Sequence, residues 1–282
     1  MKYGLFFRLF LLFGWLVCTS ARTPQITQPP VYFVDAAVLE SGDGSSREKA
    51  LKTITEALES PLDPGSVIWI APGTYAETLY VHQSGAEVLP MTAGVRVVGA
   101  NKIQFPSGTD LASVDVANHP GQYYLYLARS WNGNSGVYEV TSVDAVQGTV
   151  TVSDANFYPE AGEAGDFTVL SAGIGRPIQI RNADPAQGEV IVDVSADPNS
   201  GTVLYIGDGW NEPCSADNPV SYIFVEGLTL TGSSTLGGVH VQDGSFVTIA
   251  NTHISNMKGG TGIYVNGNQT HPARYNYFIG NT

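Results

Sequence analysis

Val239-His240-Val241-Gln242 and Ile263-Tyr264-Val265-Asn266 carry one pattern at two places 24 residues apart, and their reading decides the fold. A second set keeps step with them. Val225, Leu230 and Gly232 map at the same offset onto Ile249, Ile254 and Asn256, and Gly227 maps onto Asn251. A further offset of 25 carries Asn251, Ile254 and Asn256 onto Asn276, Ile279 and Asn281, although Pro272 and Arg274 then fall where Val247 and Ile249 require apolar strand residues. Self-similarity at a period of about 20 to 50 residues, without helical spacing inside the repeat, predicts a β-solenoid whose turns bury their apolar faces against one another. The Asn positions are expected to stack in the turns, their amides bonding from coil to coil. Upstream, Leu204-Tyr205-Ile206-Gly207-Asp208 reads as the same strand one coil earlier, with 211–219 as a loop excursion.

Toward the N-terminus the texture is also one of short strands bounded by Gly, Pro or Asn: Val31 to Val34, Val67 to Ile70, Pro72 to Tyr75, Leu79 to Val81 and Val95 to Gly99. One helix interrupts them. Ala50, Leu51, Ile54, Ala57 and Leu58 recur at helical spacing behind Ser45, which stands three residues before Glu48 as a capping box does, so a helix is predicted over 46–60. Residues 108–172 break the solenoid texture. Tyr123 to Leu127, Val137 to Val140, Thr149 to Val152 and Phe167 to Leu170 alternate as antiparallel strands do, with turns at Asn132-Gly133-Asn134 and Gln147-Gly148. They read as a small all-β insertion; irregular coils of the same solenoid are the competing reading.

Taken in order, Tyr32-Phe33-Val34, Gly42-Asp43-Gly44, Leu51-Lys52-Thr53-Ile54, Pro64 to Ile70, Pro72-Gly73-Thr74-Tyr75 and Gly94 to Gly99 resemble the N-terminal cap and first coils of the pectate-lyase-like, right-handed parallel β-helix superfamily. The resemblance covers 31–100 closely and 174–282 by repeat character. It implies an all-β solenoid with a helix capping its N-terminal end and a sugar-binding groove along one sheet. Enzymes and non-enzymes share this fold, so the reaction does not follow from it. Lyases of this resemblance take a proton next to a uronate carboxylate with a Lys or Arg base and a calcium ion. Beyond residue 181 the basic side chains other than His are Lys258 and Arg274, and neither lies on the proposed groove column. No close carboxylate pair of the kind hydrolases use stands out there either. Catalytic residues are therefore unassigned.

The chain opens on an address. Lys2 and Arg8 flank an apolar run from Leu9 to Val17, and Thr19-Ser20-Ala21 supply small residues for cleavage. Trp15-Leu16-Val17 are too bulky for a lipid anchor on Cys18, and the run is about half of the ~20 residues a membrane span needs. The expected division is 1–20 as a signal peptide, 31–107 as cap and first coils, 108–172 as insertion and 173–282 as further coils, cut short before the solenoid ends. The protein is expected outside the cytoplasm, secreted or periplasmic, as a monomer. Its 26 acidic and 13 basic side chains give a net charge of −13, two units more negative once Lys2 and Arg8 are removed. That charge excludes nucleic acid and anionic lipid as partners. After cleavage Cys214 alone remains, so no internal disulfide is expected.

Strand alternation buries Val239, Val241, Ile263 and Val265 and turns His240, Gln242, Tyr264 and Asn266 outward. The upstream coil adds Tyr205 to the same outer column. Aromatic faces suit pyranose rings and amides suit hydroxyls, so Tyr205, His240, Gln242, Tyr264 and Asn266 are the candidate polysaccharide-binding residues. A ladder that only stiffens the sheet is the competing reading. Asp208 and Asp243 end matching strands and are the pair that would hold a calcium ion, the one cofactor candidate. As residues preceding Gly209 and Gly244 they equally suit plain turns. The functional expectation is a secreted β-helix protein that binds or cleaves an extracellular polysaccharide; the alternative is a non-catalytic cell-surface or adhesive β-helix.

Overall fold

A computed structural model describes residues 28–160, 169–197, 199–207, 219–233, 235–267 and 272–282. The expected export signal at 1–20, Asp208, Cys214 and most of the 211–219 loop lie outside the described residues. The body is a right-handed parallel β-helix with three strands per coil, each stacked on the strand of the next coil. One sheet, A, runs Val31–Val34, Val67–Ile70, Ile178–Asn182, Ser221–Glu226, Ser245–Ala250, Tyr277–Ile279. Sheet B stacks Gly73–Tyr75, Val190–Asp193, Leu228–Thr231 and His253–Ser255, and sheet C stacks Leu79–Val81, Thr202–Ile206, Gly237–Gln242 and Thr261–Asn266. All of these pairings are parallel.

The 24-residue offset is the physical register. Val239 pairs with Ile263, His240 with Tyr264, Gln242 with Asn266, Val225 with Ile249 and Leu230 with Ile254. The inward members, among them Ile180, Val192, Leu204, Val225, Leu230 and Val241, form one continuous core. The mapped Gly and Asn positions share a backbone need: Gly227, Asn251 and Gly280 turn the chain from sheet A toward sheet B at φ of 72°, 49° and 62°. Left-handed backbone favours Gly and tolerates Asn, which explains their interchange. The amides bond between coils, Asn251 Nδ2 to Glu226 Oε1 at 3.3 Å and Asn256 Nδ2 to Thr231 Oγ1 at 3.0 Å, rather than to each other.

The last coil corrects the sequence reading. Thr248, Ile249 and Ala250 pair with Tyr277, Phe278 and Ile279, an offset of 29 rather than 25. The longer connection absorbs four extra residues. At the true offset Phe278 falls under Ile249, and the misfit of Pro272 and Arg274 disappears. Asn281 lands beside the Ile249 carbonyl, donating at 2.8 Å and accepting from Thr252 N at 2.8 Å.

The cap is also rearranged. Instead of one helix over 46–60, a 3-10 turn at Arg47–Lys49 and an α-helix at Ile54–Glu59 flank an extended Ala50-Leu51. Leu51 N donates to Phe33 O at 2.9 Å and Leu51 O accepts from Asp35 N at 2.8 Å, so the sheet claims these residues before a helix can. The capping box is Thr53 with Glu56, not Ser45 with Glu48. Ile54, Ala57 and Leu58 close the N-terminal end of the core. Glu77 holds the helix start, accepting from Ile54 N and Thr55 N at 2.8 Å each and from the Thr55 hydroxyl. Glu77→Ala is expected to lower unfolding stability by about 1–2 kcal/mol, the cost of losing a strong N-terminal cap. Urea denaturation against Glu77→Gln, which keeps one carbonyl acceptor, measures it.

The insertion is real and larger than expected. Antiparallel pairing begins at Ala86 and ends at Arg176, in the order Ala86–Ala93, Ser171–Arg176, Tyr124–Ala128, Gly136–Asp144, Thr149–Val152, Lys102–Gln104, Arg96–Gly99. Val95 to Gly99, expected in the solenoid, therefore belongs to this sheet: an apolar β-branched run fits either, and Val97 pairs with Ile103. Of the strand expected over Phe167 to Leu170, residues 167 and 168 lie outside the described residues, and Val169 and Leu170 lead into a strand at Ser171–Arg176. Strand Tyr124–Ala128 is buried on both faces. Leu125 and Leu127 enter the insertion's own core, while Tyr124 and Tyr126 lie on Tyr222 and Phe224 of sheet A. The insertion thus covers part of the outer face of sheet A, and among the described residues none of its strands pairs with sheet C.

Candidate functional site

On sheet C the register assembles the expected ring column and lengthens it. Tyr205 pairs with His240, and His240 with Tyr264; on the other side Tyr205 pairs with Tyr80. Ring centroids follow one another at 6.1 Å for Tyr80–Tyr205, 5.1 Å for Tyr205–His240 and 4.9 Å for His240–Tyr264. Tyr80 escaped the sequence reading because the insertion separates it from the rest of its column, hiding the period.

The column's ends and middle differ. Tyr80 and Tyr264 are 49% and 52% exposed, whereas Tyr205, expected on the open outer face, is 1% exposed. It is packed between its two ring neighbours, and its hydroxyl donates to Gln242 Oε1 at 2.6 Å. His240 Nε2 repeats that diagonal one coil on, meeting Asn266 Oδ1 at 3.0 Å. Each ring therefore fixes the amide two residues along on the next coil. Burial lowers the His240 pKa and the Asn266 contact opposes this more weakly, so the imidazole is uncharged at neutral pH. Beside the open end, Thr202, Leu236, Val239, His240, Thr261 and Tyr264 line a cavity of about 250 Å³. Thr202 is 4% exposed, and its hydroxyl oxygen is closed off from the cavity and has no hydrogen-bond partner.

Asp243 sits at φ 55° with its N–H on Asn266 O at 2.8 Å, the geometry of a turn residue. Its proposed calcium partner, Asp208, lies outside the described residues. Among the described residues no group of three or more His, Cys, Asp or Glu could hold a metal ion. No described helix is long and apolar enough to cross a membrane.

A second concavity, of about 640 Å³, runs along the corner between sheets A and B past Trp69, Arg181, Glu189, Glu226, Asn251 and His253. Trp69, Arg181 and Glu226 occupy one register position on successive coils. Sequence reasoning missed them for the same reason it missed Tyr80. Arg181 is bonded to Glu226 and lies 5.6 Å from the Trp69 ring and 5.3 Å from that of Phe224. Burial disfavours its charge, but Tyr124 and Glu226 outweigh that and raise its pKa. An arginine so held stays protonated and is a poor proton acceptor.

No family model matches the chain, and no curated protein matches it. Solved structures similar to it include pectate lyase Pel9A, at 16% identity and a TM-score of 0.43, covering 91% of this chain and 40% of that one. A rhamnogalacturonan lyase matches at 16% identity and a TM-score of 0.34, covering 89% of this chain and 51% of that one. A glycoside hydrolase matches at 11% identity and a TM-score of 0.36, covering 83% and 63% respectively. The chain thus spans about half or less of the first two.

Proposed function

We propose that this is an exported protein whose sheet C binds an extracellular polysaccharide. The observation that carries the reading is the unbroken ring column from Tyr80 to Tyr264, one ring per coil, flanked by Gln242 and Asn266. A linear glycan laid along the solenoid axis would meet the exposed Tyr80, pass over the buried Tyr205, and then meet the half-buried His240 and Gln242 and the exposed Tyr264 beside Asn266. Such faces suit the C–H surfaces of sugar rings, and the amides suit their hydroxyls. Tyr80 and Tyr264 are the stacking surfaces; Tyr205 supports them from within, and His240 and Tyr205 orient the amides.

Binding without cleavage is the form of this reading favoured by the column itself. It contains no carboxylate, Lys or Arg, and its histidine is uncharged at neutral pH. A calcium ion held with Asp208 and Asp243 belongs to the same proposal as an accessory.

Replacing both Tyr80 and Tyr264 with Ala removes two exposed rings without opening the core. Glycan-array binding by the full chain is expected to fall at least tenfold, with stability changed by about 0.5 kcal/mol per site, the range for surface substitutions. Intact binding with a clearly lower melting temperature would make the column a structural ladder. Release of unsaturated, ultraviolet-absorbing oligosaccharides from pectin or alginate would replace binding with lyase activity.

A further inference from the structure

The corner between sheets A and B, which the polysaccharide reading of sheet C does not use, changes width along the solenoid. Glu226 and Leu228 are separated by Gly227 alone and the next corner is 251–252, whereas the coil before turns through 183–189. The wide corner stands out beside the narrow ones, and the step between them is the concavity of about 640 Å³, within the roughly 300–1,000 Å³ of small-molecule sites. Its wall is fixed in place. Asn182, 7% exposed, accepts from Asp184 N at 3.0 Å and donates to Gly188 O at 3.0 Å, while Ala183 N donates to Ile70 O at 2.8 Å. From Trp69 to His253 the groove crosses four successive coils, three strand spacings or roughly 14 Å.

The polar groups that line it are open to a ligand in part. Arg181 is committed, its Nε donating to Glu226 Oε2 at 2.8 Å, and Asn251 Nδ2 lies 3.3 Å from Glu226 Oε1, so this pair is neutral as a unit. Glu189, Asn251 and His253 are exposed. Glu189 engages Oε2 with the Thr229 hydroxyl at 3.3 Å, and His253 engages Nδ1 with Thr282 Oγ1 at 3.0 Å. Glu189 Oε1 and His253 Nε2 are left for a ligand. Trp69 bounds one end, its ring held by the Arg181 guanidinium at 5.6 Å.

This set discriminates among ligand classes. An anionic chain would bring its charges beside Glu189 and find the arginine already paired, so uronates and phosphates are disfavoured. The strands of sheets A and B that border the groove are paired on both sides, so a peptide finds no edge on which to add a strand. Among the described residues no group of three or more His, Cys, Asp or Glu could hold a metal ion. What fits is an uncharged, hydroxyl-rich chain. Carboxylate, amide and imidazole all bond hydroxyls, and the indole suits a C–H surface. These groups come from successive coils and so recur along the axis, as the units of a polymer do.

We infer that this groove is a second saccharide site, which takes a short stretch of an uncharged glycan along the solenoid axis, with Glu189, Asn251 and His253 bonding its hydroxyls and Trp69 bounding one end. It lies on a different face from the ring column and goes beyond the sheet C reading.

The test titrates the full chain by calorimetry with neutral oligosaccharides of glucose, mannose and xylose and with oligogalacturonate of equal length. In the Tyr80→Ala, Tyr264→Ala background a neutral oligosaccharide is expected still to bind, more weakly than to the native chain. Adding Glu189→Ala and His253→Ala is expected to weaken that remaining binding at least tenfold, the worth of two hydrogen bonds, one of them to a charged group. Both side chains are exposed, so the melting temperature should not move. Neutral binding that is lost with the two tyrosines and indifferent to Glu189 and His253 overturns the groove and leaves the sheet C platform standing. Binding indifferent to the tyrosines and lost with Glu189 and His253 does the reverse. Oligogalacturonate held more tightly than every neutral chain, in a manner dependent on Glu189 and His253, overturns the uncharged class. Absence of any glycan binding overturns both sites.

Discussion

Tyr126→Ala is expected to destabilise the protein by roughly 3–5 kcal/mol, while Tyr126→Phe changes stability by less than about 1 kcal/mol in either direction. Tyr126 is fully buried at the junction of insertion and solenoid. Its ring meets Tyr222 at 5.6 Å and Phe246 at 5.3 Å, both edge to face, and Tyr277 at 6.1 Å. Removing it opens a ring-sized void between two rigid sheets, neither of which can collapse alone. Yet the hydroxyl itself has no hydrogen-bond partner, and burial raises its pKa far above the ordinary tyrosine value, so it stays protonated. Deleting that oxygen removes an unsatisfied group and leaves the packing. Chemical denaturation of both variants distinguishes the roles: a Phe variant that loses more than about 2 kcal/mol would show that the hydroxyl is bonded after all.

The sheet beneath Tyr126 has a feature that no sequence period announces. Tyr222, Phe246 and Tyr275 occupy the same place on three successive coils, each in left-handed backbone at φ of 58°, 58° and 55°. Their rings stack, with Tyr222 and Phe246 4.5 Å apart at 6° and Phe246 and Tyr275 5.1 Å apart at 24°. Bulky residues rarely adopt this conformation. Here the stacking and the cover supplied by Tyr126 compensate for it.

What was legible in the sequence was whatever depends on uninterrupted repetition. Residues 225–265 keep a fixed offset, so pairing, inward face and outer column could be read to the residue. Interruptions defeated the same logic. The insertion removed Tyr80, Trp69 and Arg181 from phase with their partners, and the longer last connection shifted the register from 25 to 29. Local signals were ambiguous for a different reason. Ser45 with Glu48 and Thr53 with Glu56 satisfy the same capping spacing, and the choice between them was made by the Leu51 backbone pairing with Phe33 and Asp35 across the chain. The burial of Tyr205 also follows from neighbours rather than from alternation, which assigns direction and not depth.

Gly85→Ala is expected to cost roughly 3 kcal/mol, at the upper end for overpacking a single methyl group. Gly85 is where the chain leaves the solenoid, one residue before the first insertion strand, and its N–H donates to Ser221 O at 3.0 Å. The returning chain passes beside it at Arg176 and Pro177. A Cβ on Gly85 would press on the Arg176 carbonyl oxygen, lie 2.6 Å from the Tyr222 carbonyl oxygen and 2.8 Å from Pro177 Cα. These are backbone atoms of the returning strand and of sheet A, held by pairing, so no side-chain rotation relieves the clash. Only separation of the neck from the sheet does, and that also strains the Tyr222 turn on which Tyr126 rests. Gly262→Ala is the control, because a Cβ there meets nothing within 4 Å and should leave stability within about 0.5 kcal/mol. Equal melting temperatures for the two variants would mean that the neck yields freely, and the insertion would then have to be held by the Tyr124 and Tyr126 face alone.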